Sequence, residues 1–295
     1  GNDRRKGRVV MSEHIVVGID GSESSTAALQ WALDEAQVRS ATVKAVRVWR
    51  MPYVGDFAGP AVAAVDPNEL ADANRELLDS VVDAALATRS DITVERVVRD
   101  GNPAAELADE AADADLLVVG SRGRGGFAEL MLGSVSHQVA AHAPCPVAIV
   151  RGDVVRRRQG RVVVGIDGSE ASKKALAWAT EEARLRGAEL HLVYASTDPL
   201  PEGKYEMSAG EQPYSDPALL VSNALEVVAA ERDAPNTFTH IVDDTPANAL
   251  LNEAKDAAMV VVSSRGRGGF KSLVLGSVSH QVAVHAPCPV VVVRA

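Results

Sequence analysis

Cysteine is almost missing from this chain. The 2 that occur, Cys145 and Cys288, hold the same place in two repeated segments. Each is expected to sit in its own folding unit, so a disulfide framework is not expected and a reducing cytoplasm is. Aromatic residues are scarce, and Ala and Val carry the apolar content expected of a soluble globular protein. Long hydrophobic runs are missing too; none approaches the roughly 18–20 residues of a membrane span. Basic charge is not in excess. The formal net charge is −10, whereas a nucleic-acid surface needs a basic face to displace counterions. An anionic ligand must therefore be held by local donors against the overall field. The opening GNDRRKGRVV has basic residues but neither an apolar core nor a cleavage site, so it does not read as a secretory leader. Met11 is the expected natural start, and the ten residues before it are set aside as an extension.

What the chain has in abundance is itself. SRGRGGF at 121–127 returns at 264–270, GSVSHQVA at 133–140 returns at 276–283, and HAPCPV at 142–147 returns at 285–290. VVGIDGSE at 16–23 returns at 163–170. Duplication on this scale predicts two equivalent domains, and the length agrees. The expected boundaries are 12–151 and 161–295, joined by the short basic spacer 152–160.

Within each copy, Val/Ile-rich runs alternate with Ala-rich stretches carrying charges at helical spacing. This predicts a parallel sheet covered by helices. Strands are expected near 14–19, 42–49, 92–98, 115–120 and 146–151, with helices near 24–39, 67–89, 103–113 and 134–142. The second copy repeats the order, with strands near 161–166, 188–195, 237–242, 258–263 and 289–294. Continuous apolar runs such as LLVVG suit strands buried on both faces. The simplest right-handed winding is doubly wound, in the order 3-2-1-4-5. Two long and dissimilar loops, 50–66 and 196–215, are expected to form lids or interaction surfaces.

The chemistry gathers after the fourth strand. Gly120, Ser121, Arg122 and Gly123 lead through a nine-residue loop to Gly133 and Ser134, where a helix opens. Such a loop presents backbone N–H groups in a concave nest. The helix start adds unpaired N–H groups and partial positive charge. Glycine lets a phosphate approach the backbone with no Cβ in the way. Ser134 is expected to cap the helix and donate its hydroxyl, while Arg122 and Arg124 supply mobile charge. A bland alternative is a flexible connection, but the same length and composition recur from Gly266 to Gly276 and Ser277. There is no GxxxxGK[ST] run. Asp20 and Asp167 end the first strand of each copy and should face the same crevice, where the strand order reverses. A carboxylate there can accept from a ribose hydroxyl or help hold Mg²⁺; its plainer role is to cap the next helix.

GIDGS near the start, Gly-x-x-Gly-x9-Gly-Ser near the end and the closing APCPV strand resemble the universal stress protein family. The likeness covers both halves and is to a tandem-domain member of the ATP-binding branch. It implies two five-stranded Rossmann-like sheets with adenine nucleotide, ATP with Mg²⁺, in each crevice. Carried over, Asp20 lies near the ribose and metal, and the backbone of Val48 reads the adenine. Gly120, Arg122 and Gly123 follow the ribose and phosphates, and Gly133, Ser134, Val135 and Ser136 hold the phosphate tail. The matching second set is Asp167, Ala195, Ser263, Arg265, Gly266, Gly276, Ser277, Val278 and Ser279. Ser263 departs from the pattern by standing where Gly120 stands. It is expected to crowd the ligand and weaken the second site.

Other signals are weaker. His137, His142 and Cys145, repeated as His280, His285 and Cys288, lack a fourth ligand for zinc and a nearby oxyanion hole for a Cys–His nucleophile. The cysteines are expected to be buried at the start of strand 5, and the histidines to sit on the last turn of a helix. Trp31 and Trp178 read as core or interdomain packing. Strand 5 of each half should be an apolar edge, which invites pairing. The resemblance implies that such edges pair across a two-fold, here within one chain, and a homodimer of whole chains stays open. The functional reading is an ATP-binding stress-response regulator acting on a protein partner that the sequence does not identify. The alternatives are a slow ATP hydrolase or nucleotidyl-transferring enzyme, and a ligand-free interaction scaffold. GIDGSES echoes an SGGxDS-type ATP-cleaving loop only loosely, and no repeated general base is evident beyond the strand-1 aspartates.

Overall fold

The computed structural model describes residues 13–50, 66–89, 91–123, 132–151, 160–195, 216–266 and 275–294. Residues 51–65 of the expected loop 50–66, all of the expected loop 196–215, Arg124 and most of the spacer lie outside them.

The first half runs β1 (His14–Gly18), α1 (Glu23–Arg39), β2 (Thr42–Trp49), α2 (Pro67–Leu86), β3 (Val94–Asp100), α3 (Pro103–Glu110), β4 (Leu116–Gly120), α4 (Ser134–His142) and β5 (Val147–Val150). The second half repeats it as β6 (Arg161–Gly165), α5 (Glu170–Arg186), β7 (Leu190–Ala195), α6 (Pro217–Ala229), β8 (Thr237–Val242), α7 (Pro246–Glu253), β9 (Ala257–Ser263), α8 (Ser277–His285) and β10 (Val290–Val293). A short 3-10 turn, Ala254–Asp256, follows α7.

Local chemistry sets these limits. Ser22 and Ser169 cap α1 and α5 by accepting from Ser25 and Ser172 N–H groups. Those helices stop at left-handed residues, Ser40 and Gly187. Asp66, Asn102, Asp216 and Thr245 cap α2, α3, α6 and α7, each followed by proline in the first turn, where its missing N–H costs nothing. β3 begins and ends two residues later than expected, and at its end Gly101 N–H carries the pairing on by donating to the Trp49 carbonyl. α3 ends at Glu110 rather than near 113, where the chain turns.

The strands form one ten-stranded sheet, in the order β3-β2-β1-β4-β5-β10-β9-β6-β7-β8. Each half has the parallel 3-2-1-4-5 winding. β5 and β10 join the halves antiparallel, with Val290 opposite Ile149 and Val292 opposite Val147. One apolar core lies under α1, α2, α5 and α6, the other under α3, α4, α7 and α8, and both run across the junction. Burying each Val or Ile side chain contributes about 1.5–3 kcal/mol.

Across the pseudo-two-fold, α1 meets α5 through four buried charges. Arg39 bonds Glu35 at 2.5 Å and also Glu182; Arg186 bonds Glu182 and Glu35. Both carboxylates are fully buried, so each guanidinium supplies a fork that the other half requires. Arg39 also lies 5.1 Å over the Trp178 ring, which places that tryptophan between the halves. On the other face, Arg151 donates to the Ala283 carbonyl at 3.1 Å and Arg294 to the Ala143 carbonyl at 3.0 Å. His137 and His280 meet edge to face at 5.7 Å. Only His142 and His285 close their helices; His137 and His280 lie within the first turns, which corrects their expected place. The cysteines are buried, and desolvation pushes the Cys145 thiol up to about 11, so it is an unreactive core residue.

Burial first, and the facing Glu182 carboxylate second, raise Glu35 to about 7. Removing one guanidinium raises it further. Arg39→Met should therefore cost about 3–5 kcal/mol near neutral pH. The loss should grow as pH rises above about 7, where wild-type Glu35 ionises while the variant's carboxyl, raised further, stays protonated. Replacing all four charges with apolar residues should cost far less. Urea midpoints of the two variants across pH check this; equal penalties would show that the four do not act as a unit.

Candidate functional site

The crevice opens where β1 and β4 end. After β1, Asp20 Oδ1 accepts from the Ser22 N–H at 2.9 Å and the Ser22 hydroxyl at 2.6 Å. The cap of α1 is thus Ser22, and Asp20 braces it rather than capping. Asp20 Oδ2 faces Gly123 so closely that a Cβ there would lie 2.7 Å from it. Gly123 is glycine because a carboxylate occupies that space. Asp167 and Gly266 repeat the contact at 2.7 Å, and Ser169 repeats the brace.

The loop after β4 is closed at its base. Gly133 N–H donates to the Ser121 carbonyl at 2.8 Å, and the Ser136 hydroxyl donates to the Gly120 carbonyl at 2.6 Å. The first intrahelical bond of α4 runs from His137 N–H to the Gly133 carbonyl. The N–H groups of Ser134, Val135 and Ser136 are therefore the helix's orphan donors. The N-cap is Gly133, with no side-chain cap bond, and Ser134 is the first helical residue. This corrects the expectation that Ser134 caps. α8 is built alike, with Gly276 as N-cap, Gly276 N–H on the Ser264 carbonyl and the Ser279 hydroxyl on the Ser263 carbonyl. Side chains cap the other six α-helices; among the described residues these two α-helix starts alone are left bare.

One cavity of about 460 Å³ brings together all nine first-half candidates: Asp20, Val48, Gly120, Arg122, Gly123, Gly133, Ser134, Val135 and Ser136. They come from the ends of β1, β2 and β4 and the start of α4. Its apolar walls include Ile19, Val46, Leu107 and Leu132, and Arg47 lies at its edge. These five were missed. The first two and Arg47 could have been found as strand-end neighbours of Asp20 and Val48, but Leu107 is a helix residue brought in only by the fold. Arg47 is held by the Asn74 side chain at 2.9 Å and the Ile19 carbonyl at 3.3 Å. A second space of about 350 Å³ shares Arg122 and Gly123 and reaches Arg151.

In the second half, Ala195 ends β7 and Ser263 ends β9, while Arg265 and Gly266 follow Ser264. Gly276 precedes Ser277, Val278 and Ser279 at the start of α8. The Ser263 difference has a local geometry. A Cβ on Gly120 would lie 2.6 Å from Ser24 Oγ and 2.8 Å from its backbone carbon. It would face the first turn of α1, not the crevice. In the second half the residue in the place of Ser24 is Ala171, without a hydroxyl. Glycine with serine in one half becomes serine with alanine in the other.

The model of the Universal stress protein family matches residues 11–151 and 159–294. The chain belongs to the universal stress protein family. A universal stress protein of Mycolicibacterium smegmatis is 36% identical over 286 residues, covering 95% of this chain and 96% of its own. One from Mycobacterium tuberculosis is 34% identical over 294 residues, with the same coverage of 95% and 96%. The crystal structure of a universal stress protein from Archaeoglobus fulgidus superposes with a TM-score of 0.73 at 25% identity, covering 96% of this chain and 99% of that one. Two universal stress protein domains in one chain, wound as Rossmann-like sheets, are thus shared with known proteins at full length.

Gly120→Ser should destabilise the first half by about 1–3 kcal/mol through overpacking against α1. Adding Ser24→Ala, which recreates the second half's pair, should recover part of the loss. Thermal unfolding of the single and double variants checks this; no recovery would mean that the α1 backbone, not the hydroxyl, sets the limit.

Proposed function

We propose that this universal stress protein binds adenine nucleotide, ATP with Mg²⁺, in each crevice and acts as a regulator whose partner reads the occupied state. The observation that carries this is the bare start of α4, whose orphan N–H groups lie at a cavity of nucleotide size beside a carboxylate. The residues suit the ligand. Val48, next to the last residue of β2, offers its backbone to the adenine, and Asp20 offers its carboxylate to a ribose or Mg²⁺. Gly123 leaves the backbone open to phosphate. Ser134, Val135 and Ser136 offer N–H groups, and Arg122 adds charge. The Ser136 hydroxyl is committed to Gly120, so its contribution is the N–H. Bound ATP would supply the triphosphate charge that these donors lack. The second half repeats the donor set at Asp167, Gly266, Gly276, Ser277, Val278 and Ser279.

Regulation is favoured over rapid hydrolysis by Asp20 itself. It is the only carboxylate among the described residues lining the cavity, and its Oδ1 is tied to Ser22. A carboxylate held this way is a weak candidate for activating water.

Nucleotide released from freshly purified protein by denaturation, identified and quantified by chromatography, tests the proposal. ATP near two per chain is expected. Gly123→Asp sets a second carboxylate against Asp20 and should remove one equivalent; adding Gly266→Asp should remove the other. A wild-type protein that carries none and fails to bind added ATP would overturn the reading.

A further inference from the structure

Three chemistry-bearing side chains of the second half converge away from the crevice. His191 is the second residue of β7, His240 the fourth of β8, and Glu253 the last of α7. His240 pairs with Val193, so both histidines point to one sheet face. His191 Nδ1 and His240 Nε2 are 2.9 Å apart, and His240 Nδ1 lies 3.6 Å from Glu253 Oε1. Behind them, His191 Nε2 faces Glu189 Oε2 at 3.3 Å. Two neutral imidazoles carry two N–H groups for the three gaps along Glu253, His240, His191 and Glu189. Glu253 Oε2 is buried without a hydrogen bond, although Arg161 Nη2 stands 3.3 Å away.

The first half shows what fills the same place. There Lys44 stands for His191, Val97 for His240 and Glu110 for Glu253. Lys44 lies 3.3 Å from Glu110 and Arg99 lies 2.6 Å from it. The second half has Val242 in the place of Arg99 and an imidazole in the place of the ammonium.

We propose that His191, His240 and Glu253 bind a divalent transition metal of the zinc class, with water completing the coordination. One ligand atom from each residue can be chosen so that all lie within 4.8 Å of one another. Tetrahedral zinc, with bonds of about 2.0–2.2 Å, holds its ligand atoms roughly 3.3–3.6 Å apart. Rotation of the side chains must draw the widest pair together by roughly 1.2 Å, and His240 and Glu253, only partly buried, have room to turn. Two imidazoles and one carboxylate suit zinc better than magnesium or calcium. Glu189 behind His191 and Arg161 behind Glu253 are the outer partners that orient such ligands. The inference does not depend on nucleotide binding.

The test uses the full-length protein, stripped by chelation and dialysed, then titrated with Zn²⁺ by calorimetry and Co²⁺ by visible absorption. Wild type should bind one ion more per chain than His191→Lys/His240→Val. That variant rebuilds the first half's residues, so its fold should survive, as circular dichroism will show. Glu253→Gln should bind at least about 10-fold more weakly than wild type. Equal binding by wild type and the double variant would overturn the proposal, as would an unchanged Glu253→Gln. Absence of binding in wild type, with histidine NMR reporting a shared proton instead, would overturn it in favour of a protonated pair.

Discussion

Without the antiparallel contact between β5 and β10, each half would end in an apolar four-residue edge. An edge of that kind pairs with whatever strand it meets. Closed against its own copy, it turns two five-stranded sheets into one and lets both cores cross the junction. The same contact brings α1 to α5 and α4 to α8. The buried arginine–glutamate ring follows from the first approach, and the His137–His280 contact from the second. Neither carboxylate of the ring could remain buried without the other half's guanidinium.

The crevice is shaped as much by what its residues lack as by what they bring. Gly123 lacks a Cβ where Asp20 stands, Gly120 lacks one where α1 begins, and α4 lacks a side-chain cap where ligand donors are needed. α4 also carries His137 to the pseudo-two-fold, one turn from Gly133. The crevice and the junction between halves are therefore two ends of a single short helix.

Much of this was legible in the chain. The repeat announced two domains, and the alternation of apolar runs with Ala-rich helices led to the winding within each half. The conserved length between Gly123 and Gly133 marked the crevice, because a loop returning to a helix start must span a set distance. What stayed hidden came from residues far apart in sequence. Leu107 enters the cavity wall only through the packing of α3. The buried ring joins residues about 150 positions apart, and each looks like an ordinary surface charge on its own helix. Ser263 read as an obstacle to ligand because its distance from the loop is visible in sequence, while the direction of its Cβ is not. Histidines spaced like 191 and 240 carry no motif; only strand register sets them side by side.

Joining the halves in one polypeptide has a genetic consequence. In an assembly of identical subunits, any substitution near the axis appears on both sides at once and must suit its own mirror image. Here each side mutates alone. Glycine with serine can persist in one half while serine with alanine settles in the other. A lysine–glutamate pair can persist beside β2 while its counterpart drifts to histidines. Covalent duplication thus releases the two sites from having to evolve as one.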